Sequence, residues 1–324
     1  MNVSTKLLVA LLLVAPACNI QKSDDVSEYR EAVPVAEAVR VSGPATEPGS
    51  STQGLGDGKA ETARWYQFTR GVRDGVNVVT RDVLVGVWAI VQTRPTEVGD
   101  DFALWGPYTD ALEPVTYRFR VERVAEHEYD YRLEGRPKNS SSEADYRAVL
   151  SGKGFGKLDP RHGDGSFVID LEAAKALDPT RHAKDSGSVK ITHDLPRTIS
   201  RQLGALPRTI SAELRPVGDS WLDIESIANE DLTGVLVVDA HTDTDDSKLT
   251  KLEDVTVASQ WRADGAGRAD ISVSGGDLPT SISVVDATEC WSTDFARVYY
   301  SDTVGFEPNF GEVSACAYAT PSKK

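Results

Sequence analysis

Among the residues of this chain that could undergo a chemical reaction, Cys18 has the most informative sequence around it. It follows one basic residue, Lys6, an apolar run at Leu7–Val14 and a few small residues, which is the layout of a bacterial export signal. The apolar run is too short to span a bilayer as a helix. We therefore predict a signal peptide over residues 1–17, cleavage before Cys18, and a lipid anchor such as palmitate on Cys18.

The same boundary allows a second interpretation, because Ala15–Ala17 satisfies the A-x-A rule of ordinary secretion. The chain would then be a soluble secreted protein. The cysteine count favours acylation, since a lipid on Cys18 leaves Cys290 and Cys316 as an even pair in an oxidising compartment. We predict an exported, membrane-anchored lipoprotein of the cell envelope.

Cys290 and Cys316 are predicted to form a disulfide. The bridge would close a loop of about 27 residues and stabilise the fold by roughly 3 to 4 kcal/mol in the chain-entropy model. A metal or redox pair is the rival interpretation, but the sequence has neither a C-x-x-C spacing nor a nearby pair of histidines. The bridge would hold the C-terminal segment on the sheet.

Side chains that could bind a metal or catalyse a reaction are present without a motif. Asp243, Asp245 and Asp246 lie on an acidic loop between two predicted strands and could supply oxygens to calcium, although the glycine and distal glutamate of an EF-hand loop are missing. A solvated hairpin tip is the favoured explanation of this loop. The five histidines are scattered, and neither H-E-x-x-H nor G-x-S-x-G occurs. We predict no catalytic residue and no cofactor.

The overall charge restricts the possible partners. The chain carries 35 basic and 50 acidic side chains, a formal net charge of −15 at pH 7. Phosphate backbones would repel such a surface, so nucleic acid is not an expected partner. No second long apolar segment follows the predicted signal, so we expect the membrane to be reached through the lipid on Cys18.

A tether is predicted between the anchor and the folded part. Residues 18–59 are rich in Pro, Gly, Ser, Thr and Glu, with few apolar groups to offset the entropy of ordering. A flexible segment of this length would hold the folded part away from the membrane. The alternation of Val33, Val35, Val39 and Val41 leaves a second possibility, a short docked strand.

A long amphipathic helix is predicted over Glu61–Thr93. Apolar side chains recur there at steps of three and four, which places them on one helical face, and Pro95 ends the pattern. Two β-strands, around residues 76–79 and 83–91, are the alternative because β-branched residues dominate. The predicted apolar stripe consists of Trp65, Phe68, Val72, Val76, Val79, Val83, Val87 and Ile90.

After Pro95 the pattern changes to alternation, which is typical of β-strands. Apolar and charged side chains alternate in residues 115–122 and 129–134, and the short connections imply antiparallel pairing. We predict a mainly β domain over residues 60–320, in which the long helix packs on a curved antiparallel sheet or barrel of about ten strands. Residues 172–178 predict one short helix.

Several segments of this domain carry a resemblance. They are the Arg-Trp-Tyr opening of the helix, the strand YRLEGRPK, and the C-terminal segments WRADGAGRADISVSGGDLP, ECWSTDFARVYY and SACAY. Together they look like an uncharacterised group of exported lipoproteins common in myxobacteria. The resemblance covers nearly the whole domain and implies an envelope location. The group has no assigned activity, so the resemblance implies no catalytic residue.

Three functions are compatible with these features. The first is a non-enzymatic envelope lipoprotein that serves as an interaction or structural module, with an envelope protein as partner. The second is a carrier that holds a lipid or other apolar ligand between the helix and the curved sheet. The third is a hydrolase whose site has no recognisable motif.

Overall fold

The chain is mainly β and divides into two compact units. The computed structural model describes residues 26–44, 61–155, 163–195, 207–244 and 250–321. Unit 1 comprises Met1–Arg40, Asn77–Ala205 and Leu214–Val217. Unit 2 comprises Val41–Val76, Leu206–Glu213 and Gly218–Lys324.

Within these described ranges, fifteen antiparallel strands form one sheet, and their hydrogen-bonded order follows the chain from β1 to β15. The order has two ends, so the sheet is not closed. The strands are β1 Glu97–Val98, β2 Phe102–Thr109, β3 Val115–Ala125, β4 Glu128–Pro137, β5 Arg147–Phe155, β6 Gly163–Asp170, β7 Ser188–Leu195, β8 Arg208–Arg215, β9 Trp221–Ala228, β10 Gly234–Thr242, β11 Glu253–Trp261, β12 Gly267–Gly275, β13 Val284–Trp291, β14 Arg297–Asp302 and β15 Phe310–Gly311.

The prediction of a mainly β, antiparallel fold is confirmed, but the number of strands and the closed alternative are wrong. Two pairings that involve strands missed in the sequence contain a register shift. The pairing of β2 with β3 shifts between Trp105 and Tyr108, and that of β13 with β14 shifts between Cys290 and Trp291. A bulge moves side chains out of the two-residue period, which hides the strand from a pattern search.

The part of the chain that the structure describes also contains three α-helices: α1 at Ser27–Glu31, α2 at Arg64–Val91 and α3 at Leu171–Leu177. The bounds of α2 lie inside the predicted helical span of 61–93, and α3 coincides with the predicted short helix. The predicted arrangement, a long helix on a sheet of about ten strands, is not matched: the sheet has fifteen strands in the described residues, and α2 belongs to unit 2 up to Val76 and to unit 1 from Asn77.

The buried face of α2 also differs from the predicted stripe. Phe68, a stripe residue, is 36% exposed, whereas Thr69 is fully buried. The Thr69 hydroxyl donates to the carbonyl of Trp65 at 2.7 Å, so a polar residue can be buried without an unsatisfied group. A search for apolar periodicity cannot detect this. The buried residues are Tyr66, Thr69, Val76, Thr80, Leu84, Val87, Ile90 and Val91.

Residues 26–44 are part of the folded chain. The Tyr29 ring of α1 meets the Tyr129 ring of β4 edge to face, with centroids 5.6 Å apart. A guanidinium nitrogen of Arg30 donates to the carbonyl of Thr93 at 3.0 Å. Both contacts lie within unit 1, and they fix the position of α1.

This segment differs from the flexible tether predicted for residues 18–59. It contains several apolar residues with little or no exposure, and each fully buried valine contributes roughly 1.5 to 3 kcal/mol, which offsets the entropy of ordering the backbone. The alternative prediction, a short docked strand, is correct in that these valines are buried. The segment that contains them forms turns rather than a strand. The buried aliphatic residues are Val26, Ala32, Val33, Val35, Ala38, Val39 and Val41. Residues 18–25 and 45–59 lie outside the described part of the chain.

Each unit has an aromatic core. In unit 1, Trp105, Phe119 and Tyr131 follow one another on β2, β3 and β4, with ring centroids 6.1 and 6.3 Å apart. In unit 2, Tyr66 of α2 stacks on Phe295 with centroids 4.3 Å apart. Among the described residues, no helix has both the length and the hydropathy that a membrane span requires.

Candidate functional site

The predicted site residues fall into two groups. Cys18, Asp245 and Asp246 lie outside the described residues, so the lipid anchor and the calcium loop stay predictions. Asp243 follows the last residue of β10. No group of three or more His, Cys, Asp or Glu side chains in the described part of the chain is arranged to hold a metal ion.

The predicted disulfide is present between Cys290 and Cys316. Cys290 lies on β13 and is fully buried, whereas Cys316 follows a single turn of 3-10 helix. The chain beyond the bridge is also held by hydrogen bonds: Gln260 Nε2 donates to the carbonyl of Thr320 at 2.7 Å, and Arg268 donates to the carbonyl of Ala319 at 3.0 Å. The bridge therefore fixes the C-terminal segment on neighbouring strands of unit 2.

Removal of this disulfide is expected to lower the free energy of unfolding by about 3 kcal/mol, because the reduced chain regains the entropy that the closed loop had lost. Urea unfolding of the parent with and without reductant measures the change. The double variant Cys290→Ala/Cys316→Ala is the control, since reductant should leave its unfolding curve unchanged. Equal curves for the oxidised and reduced parent would contradict the prediction.

A polar depression of about 430 Å³ lies on the sheet of unit 2. The side chains that line it come from four consecutive strands, β9 to β12. On each strand they belong mostly to the partly exposed positions that alternate with buried ones. The polar and aromatic residues that line it are Trp221, Asp223, Asp239, Asp254, Thr256, Ser272 and Ser274.

One cross-strand row supplies most of its hydrogen-bonding groups. Asp223 lies opposite Asp239, Asp239 lies opposite Thr256, and Thr256 lies opposite Ser272. The Thr256 hydroxyl donates to Asp239 Oδ1 at 2.6 Å. Asp223 and Asp239 thus place two carboxylates side by side in the depression.

A second row, two residues farther along the strands, carries the aromatic groups. The rings of Trp221 and His241 are stacked, with centroids 6.4 Å apart and planes inclined by 18°. His241 Nδ1 lies 2.8 Å from Asp254 Oδ1, so the carboxylate orients the imidazole. Because the indole is only partly buried, it forms an apolar wall at one end of an otherwise polar depression.

This arrangement suits a particular class of ligand. Carboxylates only accept hydrogen bonds, so the depression presents mainly acceptors beside one aromatic ring. None of the described residues that line it is Lys or Arg. A ligand that brings hydrogen-bond donors, as hydroxylated and amine-bearing compounds do, fits such a surface.

A smaller polar cluster in unit 1 has a structural explanation. Arg123 donates to Asp101 Oδ1 at 2.8 Å and lies 3.5 Å from Glu28 Oε1, and the Tyr129 hydroxyl donates to Glu28 Oε2 at 2.5 Å. Burial, together with the hydrogen bond to Glu28, raises the pKa of Tyr129 well above its ordinary value. The tyrosine therefore keeps its proton, and the cluster attaches α1 to the β3–β4 hairpin.

The depression was missed at the sequence level because its residues are far apart in the chain. Asp223, Asp239, Asp254 and Ser272 each occupy an ordinary outward position of a different strand. The available signal was the accumulation of Asp, Ser and Thr at outward positions from β9 to β12, and strand register was needed to bring them together.

Comparison of the chain with protein-family models, with curated proteins and with solved structures found no match in any of the three.

Proposed function

We propose that the chain is a non-enzymatic binding module of the cell envelope, anchored through a lipid on Cys18. The depression on β9–β12 is its ligand-contacting surface. The observation that carries this proposal is the row of acceptor oxygens that four consecutive strands bring together beside the partly exposed ring of Trp221. Carboxylates and hydroxyls in an open depression can accept hydrogen bonds from a ligand that supplies donors.

The class of ligand follows from the same residues. A hydroxylated or amine-bearing envelope component would donate to the carboxylates and lay an apolar surface or a cation against the indole. Anionic components would be repelled by the depression and by the net charge of the chain. Recognition of this kind requires no proton transfer or covalent step.

Trp221→Ala and Asp239→Asn are each expected to lower the affinity for the ligand at least about tenfold, because a few aromatic and charged contacts dominate binding at such surfaces. The mature chain is immobilised, solubilised envelope is passed over it, and retained components are identified by mass spectrometry. Affinity for the component that the parent enriches most is then measured for each variant.

Glu312→Gln is the matched control, since it removes one exposed carboxylate of unit 2 that does not line the depression. It should bind as the parent does. Equal retention by the parent, Trp221→Ala and Asp239→Asn would contradict the proposal. A stoichiometric extractable lipid, or turnover of a hydrolase substrate, would favour the carrier or the enzyme instead.

A further inference from the structure

The place where the chain enters unit 1 is well defined. Val26 is 1% exposed, and α1 starts at the next residue. Glu28 contacts Arg123 at the end of β3 and Tyr129 at the start of β4. The chain therefore enters unit 1 beside the turn that joins β3 to β4.

The distance from this point to the predicted anchor is limited by covalent geometry. Seven residues separate Cys18 from Val26. At a maximum of about 3.5 Å per residue, the eight steps from Cys18 to Val26 span no more than roughly 28 Å. The eleven residues of β3 extend over about 36 Å at 3.3 Å per residue. The linker is thus shorter than the strand beside which the chain enters.

We propose that the β3–β4 end is the membrane-proximal end of unit 1, and that its partner surface is a layer of lipid headgroups. This inference rests on the acylation of Cys18 in the proposed function. Because the linker between Cys18 and Val26 is this short, the β3–β4 turn can approach the headgroups. The β2–β3 turn at the opposite end of β3 is then held away from them.

The residues at this end indicate which headgroups fit. Val98 and Val124 are apolar side chains that are 49% and 54% exposed. Asp101 and Glu126 carry exposed carboxylates at the same end. Anionic lipids would repel these carboxylates, so the fitting surface is zwitterionic, such as phosphatidylcholine. Contact is then held by the anchor and by the two valines rather than by charge.

Site-specific fluorescence quenching tests the orientation. Val124→Cys and Leu112→Cys each introduce a thiol at an exposed position of unit 1, at opposite ends of β3; Leu112 is 95% exposed. With Cys18 acylated and Cys290 bridged to Cys316, the introduced thiol is the free one to label. The acylated chain is reconstituted, without reductant, in phosphatidylcholine vesicles that contain lipids with a nitroxide headgroup. We expect a probe at residue 124 to lose most of its fluorescence and a probe at residue 112 to lose little.

A variant with a longer linker tests whether the short linker is the cause of the difference in quenching between the two probes. A Gly/Ser insertion of about 40 residues after Gln21 has a root-mean-square length of roughly 35 Å. It should bring the two probes close to equal quenching. Equal quenching without the insertion, or stronger quenching at residue 112, overturns the inference. Intact mass distinguishes the causes: an unacylated chain overturns both this inference and the proposed anchor, whereas an acylated chain with equal quenching overturns only the orientation.

Discussion

Glu289→Ala is expected to lower the free energy of unfolding by about 3 to 5 kcal/mol, because it breaks a buried ion pair from one side. Glu289 lies on β13 and is fully buried. Its Oε1 accepts from Arg297 Nε at 2.7 Å, and its Oε2 accepts from the backbone N–H of Trp65 at 2.6 Å. In the alanine variant the largely buried guanidinium of Arg297 loses one of its carboxylate partners. The backbone N–H of Trp65 loses the carboxylate that accepts its hydrogen bond.

The second contact explains why the effect should exceed that of an ordinary ion pair. Trp65 is the second residue of α2, and the first N–H groups of a helix have no partner within the helix. The first turn of α2 contains no acidic residue, so the carboxylate that faces the positive end of the helix dipole comes from the sheet. Glu289 therefore joins the start of α2 to β13 within unit 2.

A nearby exposed ion pair gives the control. Arg64 lies 2.6 Å from Glu307, but its side chain is 70% exposed, so Arg64→Ala should cost no more than about 1 kcal/mol. Glu289→Gln keeps an acceptor for Trp65 and should fall between the two alanine variants. Urea unfolding followed by circular dichroism measures all three. A loss for Glu289→Ala no greater than that for Arg64→Ala would contradict the prediction.

Glu289 also shows which information the sequence lacks. The periodicity of residues 64–91 is local, so a helical pattern could be recognised there without knowledge of any other segment. The capping carboxylate is 224 residues away from Trp65, and only the fold brings the two together. The same holds for Asp223 and Asp239, whose opposition depends on the register of β9 and β10.

The N-terminal segment was misjudged for a different reason. Composition averaged over residues 18–59 is polar, and that average conceals the apolar residues between Val26 and Val41. These residues are buried one by one in turns, without the regular period of a helix or strand. Their burial shortens the distance between Cys18 and the folded chain from about forty residues to eight steps, and this difference is what permits the inference about orientation.

Acidification is expected to destabilise unit 1 through His193. This residue of β7 is 5% exposed, and its Nε2 lies 2.9 Å from the position that a Cβ on Gly165 would take. The imidazole thus occupies space that a glycine on the neighbouring strand leaves open. Burial lowers the pKa of His193 to about 4, while the backbone of Gly163 and the charges of Asp164 and Asp194 act in the opposite direction.

The sign of the effect follows from the direction of the shift. The folded chain holds His193 neutral, and the unfolded chain takes up its proton near the ordinary pKa of 6.5. The contribution to stability is therefore complete above about pH 6.5 and is lost as the pH falls towards 4. A difference of roughly two and a half pKa units corresponds to about 3 kcal/mol.

His193→Leu tests this assignment, because leucine fills a similar volume and does not titrate. Urea unfolding at pH 7, 5.5 and 4 should show the parent losing about 3 kcal/mol more than the variant across this range. Carboxylates that also titrate near pH 4 affect both chains equally and cancel in the comparison. His127→Asn, which changes an exposed histidine at a positive φ of 63° that asparagine tolerates, should follow the parent. Parallel curves for the parent and His193→Leu would show that the protonation of other groups, and not of this buried imidazole, sets the acid stability of unit 1.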